Sequence, residues 1–121
     1  MNKTKLLGAW GESIAVDFYR KKRFTIEAIG FQCRFGEIDV IAKNKKYIVF
    51  CEVKLRKSNQ FAEAMEYVDY YKQNRLRTTA SFYLSKYPTA LQPRFDVIEI
   101  YAPEGSATAK PIVRHMEDAF S

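Results

Sequence analysis

The chain has 121 residues, of which 47% are hydrophobic and 15% aromatic. That suffices for one domain with a modest core and excludes a disordered chain. Its 20 basic residues against 14 acidic give a net charge of +6, which points to an anionic partner such as nucleic acid or a membrane surface. No apolar run approaches the roughly 20 residues of a membrane helix. No apolar signal segment follows the basic start Met1-Asn2-Lys3-Thr4-Lys5. The chain therefore reads as cytoplasmic, without a membrane-embedded part. Two cysteines, one histidine and no Cys-x-x-Cys argue against a disulfide framework and against a zinc site.

Residues Thr4 to Arg23 read as a helix, because Leu7, Trp10, Ile14 and Phe18 recur at three- and four-residue spacing. Gly8 and Gly11 weaken it by about 1 kcal/mol each relative to alanine, which suggests close packing or a nearby ligand. Arg20-Lys21-Lys22-Arg23 complement the negative end of the helix dipole, and that structural role suffices to explain them. Phe24 to Gly30 reads as a strand and Phe31 to Arg34 as a connection. Phe35 to Ala42 and Tyr47 to Leu55 read as an antiparallel hairpin across the short turn Lys43 to Lys46. The run Tyr47-Ile48-Val49-Phe50-Cys51 is that of a strand buried on both faces, with Cys51 a small buried hydrophobe. A polar loop, Arg56 to Gln60, precedes a helix from about Tyr70 to Tyr87, with Asn59 or Asp69 as its cap and Pro88 ending it. Arg94 to Tyr101 is a further strand and Pro103 to Lys110 a loop. Pro111 to Arg114 reads as a short edge strand and His115 to Phe120 as a final helical turn. This is an α/β chain: a mixed sheet flanked by helices, in the order helix, three strands, helix, strand, with no repeat and no linker.

The chemistry gathers where the buried strand ends. Glu52 and Lys54 share a strand face, and Asp39 lies on the neighbouring strand. Charges in such a place are costly unless paired or bound to a metal. Two carboxylates and the backbone carbonyl of Val53 suffice for Mg²⁺, which takes oxygen ligands and keeps several waters. Such a metal would hold a phosphate oxygen and acidify a bound water, while Lys54 orients that water. A surface salt bridge at a strand end explains the pattern equally well.

Further residues extend it: Gly8-x-x-Gly11-Glu12-x-x-Ala15, Gly36-Glu37-Ile38-Asp39, Cys51-Glu52-Val53-Lys54-x-Arg56, Lys72 with Arg75-Leu76, and Arg94-Phe95-Asp96-Val97. The set resembles the PD-(D/E)xK nucleases of restriction-endonuclease-like fold. More closely, it is similar to the YraN-like family of predicted endonucleases, related to archaeal Holliday-junction resolvases. The resemblance runs from Gly8 to about Tyr101. It implies Asp39 and Glu52 as ligands of Mg²⁺ or Mn²⁺, Lys54 as the catalytic lysine, and Glu12 as an extra acidic residue. It also implies Lys72 as a phosphate contact, although a solvated lysine is the slightly favoured reading there. Because two symmetric cuts need two sites, a homodimer is a further expectation. Ala28 to Gln32 and Ala62 depart from the family pattern and bear on the shape of the substrate groove.

The expected partner is DNA, with RNA as the open alternative. Arg34, Arg56, Lys57, Lys72 and Arg75 are the candidates for backbone contact, which gives affinity without sequence information. Tyr70 and Tyr71 fit core packing and base stacking equally. Glu37 shares a strand face with Asp39, but pairing with Arg34 or Arg56 is the favoured reading. Asp96 is expected to pair locally with Arg94 or a loop amide, Trp10 to join the core and His115 to lie on the surface. The resulting expectation is a metal-dependent endonuclease. A non-catalytic nucleic-acid-binding module and a protein-interaction subunit stand as the alternatives.

Overall fold

The computed structural model describes residues 3–57 and 69–120. The Asn59 cap and Ala62 lie outside them. Its elements are α1 (Lys3–Lys21), β1 (Thr25–Cys33), β2 (Gly36–Lys43), β3 (Tyr47–Arg56), α2 (Tyr70–Lys86), β4 (Gln92–Tyr101), a short 3₁₀ turn (Gly105–Ala107) and β5 (Ile112–Phe120). One mixed sheet runs in the order β1-β2-β3-β4-β5. Neighbours are antiparallel except β3 and β4, which run parallel and are joined through α2.

The central strand behaves as its apolar run requires. Ile48 and Phe50 pack on one face with Leu76, Ala80 and Tyr83 of α2. Val49 and Cys51 pack on the other with Ala15, Val16 and Tyr19 of α1. Successive strand residues face opposite sides, so the two helices cover opposite faces. Trp10 is half-buried against the α1-side cluster.

Both helix ends have local chemical causes. Asp69 caps α2 by accepting from the Lys72 N–H at 2.9 Å. At the end of α1, Phe24 N–H donates to Tyr19 O at 3.0 Å and Arg23 N–H to Arg20 O at 2.9 Å. That is the Schellman arrangement, whose turning residue adopts a left-handed backbone and is usually glycine. Here it is Arg23, at φ 67°.

Two expectations need correction. Residues 31–33 are strand rather than connection: β1 continues to Cys33, bent by an irregularity between Ile26 and Ala28 and by Gly30 at φ 64°. Residues 115–120 are not helical. They form the second half of β5, which covers the edge of β4 from Tyr101↔Ile112 to Phe95↔Phe120.

With that strand comes His115, whose side chain is largely enclosed rather than on the surface. Its Nε2 lies 2.7 Å from Asp96 Oδ2 and its side chain is 9% exposed. Asp96, fully buried, also receives Arg94 through two nitrogens at 2.9 Å, the Tyr19 hydroxyl at 2.8 Å and the Asp118 amide at 2.9 Å. Of the two partners expected for Asp96, Arg94 is the one present, joined by three groups from distant parts of the chain.

Burial alone would raise the Asp96 pKa, but His115, Arg94, the Asp118 amide and Tyr19 outweigh it and hold it down at about 2. A carboxylate depressed on folding stabilises the fold fully above its unfolded value, near 3.9. That stability is lost as pH falls toward 2. Asp96→Asn is therefore expected to lower stability by about 3 kcal/mol at pH 7. In denaturant melts, its gap to wild type should close between about pH 4 and pH 2.

Candidate metal centre

The site begins where two strands separate. The ladder between β2 and β3 ends at Val40↔Cys51. Beyond it, the Val53 N–H has no strand carbonyl to meet and donates to Asp39 Oδ2 at 2.7 Å. The alternation of β2 breaks at the same place. Ile38 and Ile41 both belong to the α2-side cluster, whereas Val40 and Ala42 belong to the α1 side. Asp39 therefore lies at the break, in the gap between the strands. The Val53 carbonyl points to the same strand edge as its N–H, toward that gap.

Three carboxylates converge there. One oxygen each from Glu12 of α1 and from Glu37 and Asp39 of β2 lie within 4.8 Å of one another. A cleft of about 120 Å³ is lined by Gly8, Glu12, Asp39, Val53, Lys54 and Leu55. Gly11 makes the close approach: a Cβ there would sit 3.1 Å from the Leu55 side chain, while one on Gly8 would meet nothing. A second depression, of about 150 Å³, is lined by Gly36, Glu37, Lys72, Arg75 and Leu76. Glu37 belongs to the walls of one and the acid set of the other. The pairing favoured for Glu37 from sequence gives way to this cluster. The signal available was the strand face it shares with Asp39.

Glu52 stands beside this set rather than in it. Its Oε1 is 3.0 Å from Lys72 Nζ and 3.3 Å from Lys54 Nζ. Lys72 is thus a buttress of the site and not a solvated lysine. Burial works against its charge, but Glu52 more than compensates and its pKa is raised. Arg75 is exposed beside Lys72, and Arg34 is exposed at the β1–β2 turn, stacked 4.7 Å over Phe35. Arg56 turns elsewhere: its Nε lies 3.3 Å from Glu99, which is fully buried. Lys57 is exposed near Leu7, Arg56 and Ala102. Tyr70 and Tyr71 are exposed and take no part in the core.

The electrostatics show what the set lacks. Burial, followed by the charge of Glu52, pushes the Asp39 carboxyl up to about 7; the Val53 amide opposes this, and Glu12 and Glu37 add to it. Glu12 is raised as well, first by burial and then by Glu37. A group of carboxylates this close is short of positive charge. Its donors are all oxygens, the chemistry of a hard divalent cation. The residues present therefore fit Mg²⁺ or Mn²⁺.

A family model described as "Uncharacterised protein family UPF0102" matches residues 11–100. That span holds Glu12, Glu37, Asp39, Glu52, Lys54 and Lys72. A UPF0102 protein of Caldanaerobacter subterraneus subsp. tengcongensis is 41% identical over 117 residues, covering 96% of this chain and 95% of that one. Another from Caldicellulosiruptor bescii is 39% identical over 118 residues, covering 96% and 98%. One from Clostridium botulinum is 42% identical over 98 residues, covering 79% and 80%. Among the described residues, no helix is long and apolar enough to cross a membrane.

The Asp39 shift has a measurable sign. In the unfolded chain this carboxyl ionises near 3.9, and in the folded one only near 7. The metal-free protein should therefore lose stability as pH rises from about 4 to about 7. Asp39→Asn removes that dependence, so in chelator it should melt above wild type at pH 8. Adding Mg²⁺ or Mn²⁺ should raise the wild-type melting temperature and leave the variant's unchanged.

Proposed function

We propose that this chain, which belongs to the uncharacterised protein family UPF0102, is a metal-dependent endonuclease hydrolysing phosphodiester bonds in branched or damaged DNA. The observation that carries the reading is the convergence of Glu12, Glu37 and Asp39 within 4.8 Å, beside a cleft lined by Lys54. The element order α1-β1-β2-β3-α2-β4 and the Asp39…Glu52-Val53-Lys54 pattern support a restriction-endonuclease-like assignment.

The three carboxylates and the Val53 carbonyl would hold Mg²⁺ or Mn²⁺. When bound, such a cation polarises a phosphoryl oxygen and lowers the pKa of a water. The Val53 amide holds Asp39 through one carboxylate oxygen, Oδ2. Lys54, held by Glu52 at 3.3 Å, is a donor at the cleft wall. There it orients the attacking water and offsets the charge that develops on the phosphate. Lys72 compensates Glu52 from the α2 side, so Lys54 need not surrender its whole charge to that carboxylate. Lys72 and Arg75 also make the neighbouring depression attractive to the flanking backbone. Backbone contacts of this kind position a strand without reading its bases, which favours recognition of structure over sequence.

Calorimetric titration of Mg²⁺ or Mn²⁺ into wild type and Asp39→Asn, with cleavage of a short branched DNA followed in parallel, tests the reading. Wild type should bind metal and cut, and Asp39→Asn should do neither while staying folded. Glu12→Gln, Glu37→Gln and Glu52→Gln should each weaken both properties. Lys54→Ala should keep the metal and lose cleavage by about 100-fold or more. Unchanged cleavage by Asp39→Asn would sink the proposal.

A further inference from the structure

We infer that a groove at the far end of α1 and β2 is a second binding site, for the phosphodiester backbone of a nucleic-acid strand leading away from the acidic cleft. The groove holds about 580 Å³ and is lined by Lys22, Arg23, Lys43, Asn44, Lys45 and Lys46. Five cations thus surround one concavity. Glu27 meets Lys43 at 2.8 Å. Lys22 lies 4.8 Å over the Phe18 ring and Lys46 5.2 Å over the Tyr47 ring. A cation over a ring keeps its charge, so the groove remains strongly positive.

Two features hold these cations in place. Asn44 Oδ1 accepts from the Lys46 N–H at 2.9 Å and the Tyr47 N–H at 2.7 Å, which stiffens the turn bearing Lys45 and Lys46. On the other wall, Arg23 occupies the left-handed position that glycine would fill with less strain. Arg23 there places a cation on this wall of the groove as well as at the negative end of the helix dipole.

The placement identifies the ligand. From Glu12 to Lys22, α1 advances about 15 Å. From Asp39 to Lys43, β2 advances about 13 Å. Both elements run from the acidic cleft to the basic groove. Phosphates along one strand of a duplex advance about 3.4 Å each, so roughly four steps separate the two sites. The alignment of this depression with the acidic cleft along α1 and β2 favours a strand over a bilayer as its occupant. The strand's route toward the acidic cleft rests on the nuclease reading, whereas the anion site does not.

The test uses the full chain in chelator and a fluorescein-labelled 20-nucleotide DNA, with anisotropy measured across a salt series. In Lys45→Ala/Lys46→Ala, binding should weaken about ten-fold, and the slope of log affinity against log salt should fall in magnitude by about 1.4. Arg23→Gly, which relieves backbone strain, should keep the melting temperature and still weaken binding. Wild-type affinity and slope in both variants would overturn the groove. So would loss of binding to phosphatidylserine vesicles with DNA binding intact, which would assign the groove to a membrane surface.

The nuclease reading fails separately. Bis(p-nitrophenyl) phosphate is too short to reach the groove, so its metal-dependent hydrolysis should survive in Lys45→Ala/Lys46→Ala and vanish in Asp39→Asn. Hydrolysis retained in Asp39→Asn would remove the nuclease reading, while the salt-dependent binding would still support the groove.

Discussion

The acidic centre exists because β2 and β3 part beyond the Val40↔Cys51 pair. From there the Val53 N–H faces a gap, and a buried donor without an acceptor costs about 1–3 kcal/mol. The Asp39 carboxylate meets it at 2.7 Å. That one hydrogen bond closes the sheet and also fixes a carboxylate in the sheet plane, between the two helical layers. Glu12 reaches it from α1, and Glu52 with its Lys72 partner approaches from the α2 side. Had the ladder continued, Asp39 would belong to one face only, and these groups could not surround it.

Two aspartates in the same sheet show how neighbours decide what a buried carboxylate does. Asp96 is surrounded by donors from Arg94, Tyr19, His115 and the Asp118 backbone, and it stays ionised to about pH 2. It ties α1, β4 and β5 together. Asp39 has one amide and three nearby carboxylates, and its pKa moves the opposite way. The first arrangement is complete within the protein. The second could hold a divalent cation, and carboxylates shifted in this way mark a candidate functional site. Cys51, fully buried behind β3 with its thiol pKa raised, takes no part in such chemistry.

The net positive charge is not spread evenly. Lys22, Arg23, Lys43, Lys45 and Lys46 gather where α1 and β2 end, whereas Glu12 lies midway along α1 and Glu37 and Asp39 lie at the start of β2. Lys72 and Arg75 flank the acidic end. An anionic polymer would be attracted by the cations and repelled by the acidic cluster, so a divalent cation and a polyanion would reinforce each other's binding.

Elements whose causes are local can be read from the order of residues alone. The apolar run of β3, the hairpin across Lys43 to Lys46 and the helix from about Tyr70 follow from side-chain periodicity and turn chemistry between near neighbours, although the choice of Asp69 over Asn59 as its cap does not. The same local pattern marked Asp39, Glu52 and Lys54 as charges in a costly place. What those charges meet depends on how distant segments pack together. His115 was assigned to the surface because nothing within its own segment shows β5 pairing with β4 and presenting the ring to Asp96, 19 residues earlier in the chain. Glu37 joined the acidic set through Glu12, and Lys72 reached Glu52 from another layer. Arg23 ended α1 at a place where glycine would have been the recognisable signal. Periodicity records which way a side chain points, but the partner waiting there is set by how distant segments pack, and for a charged group the partner decides its role.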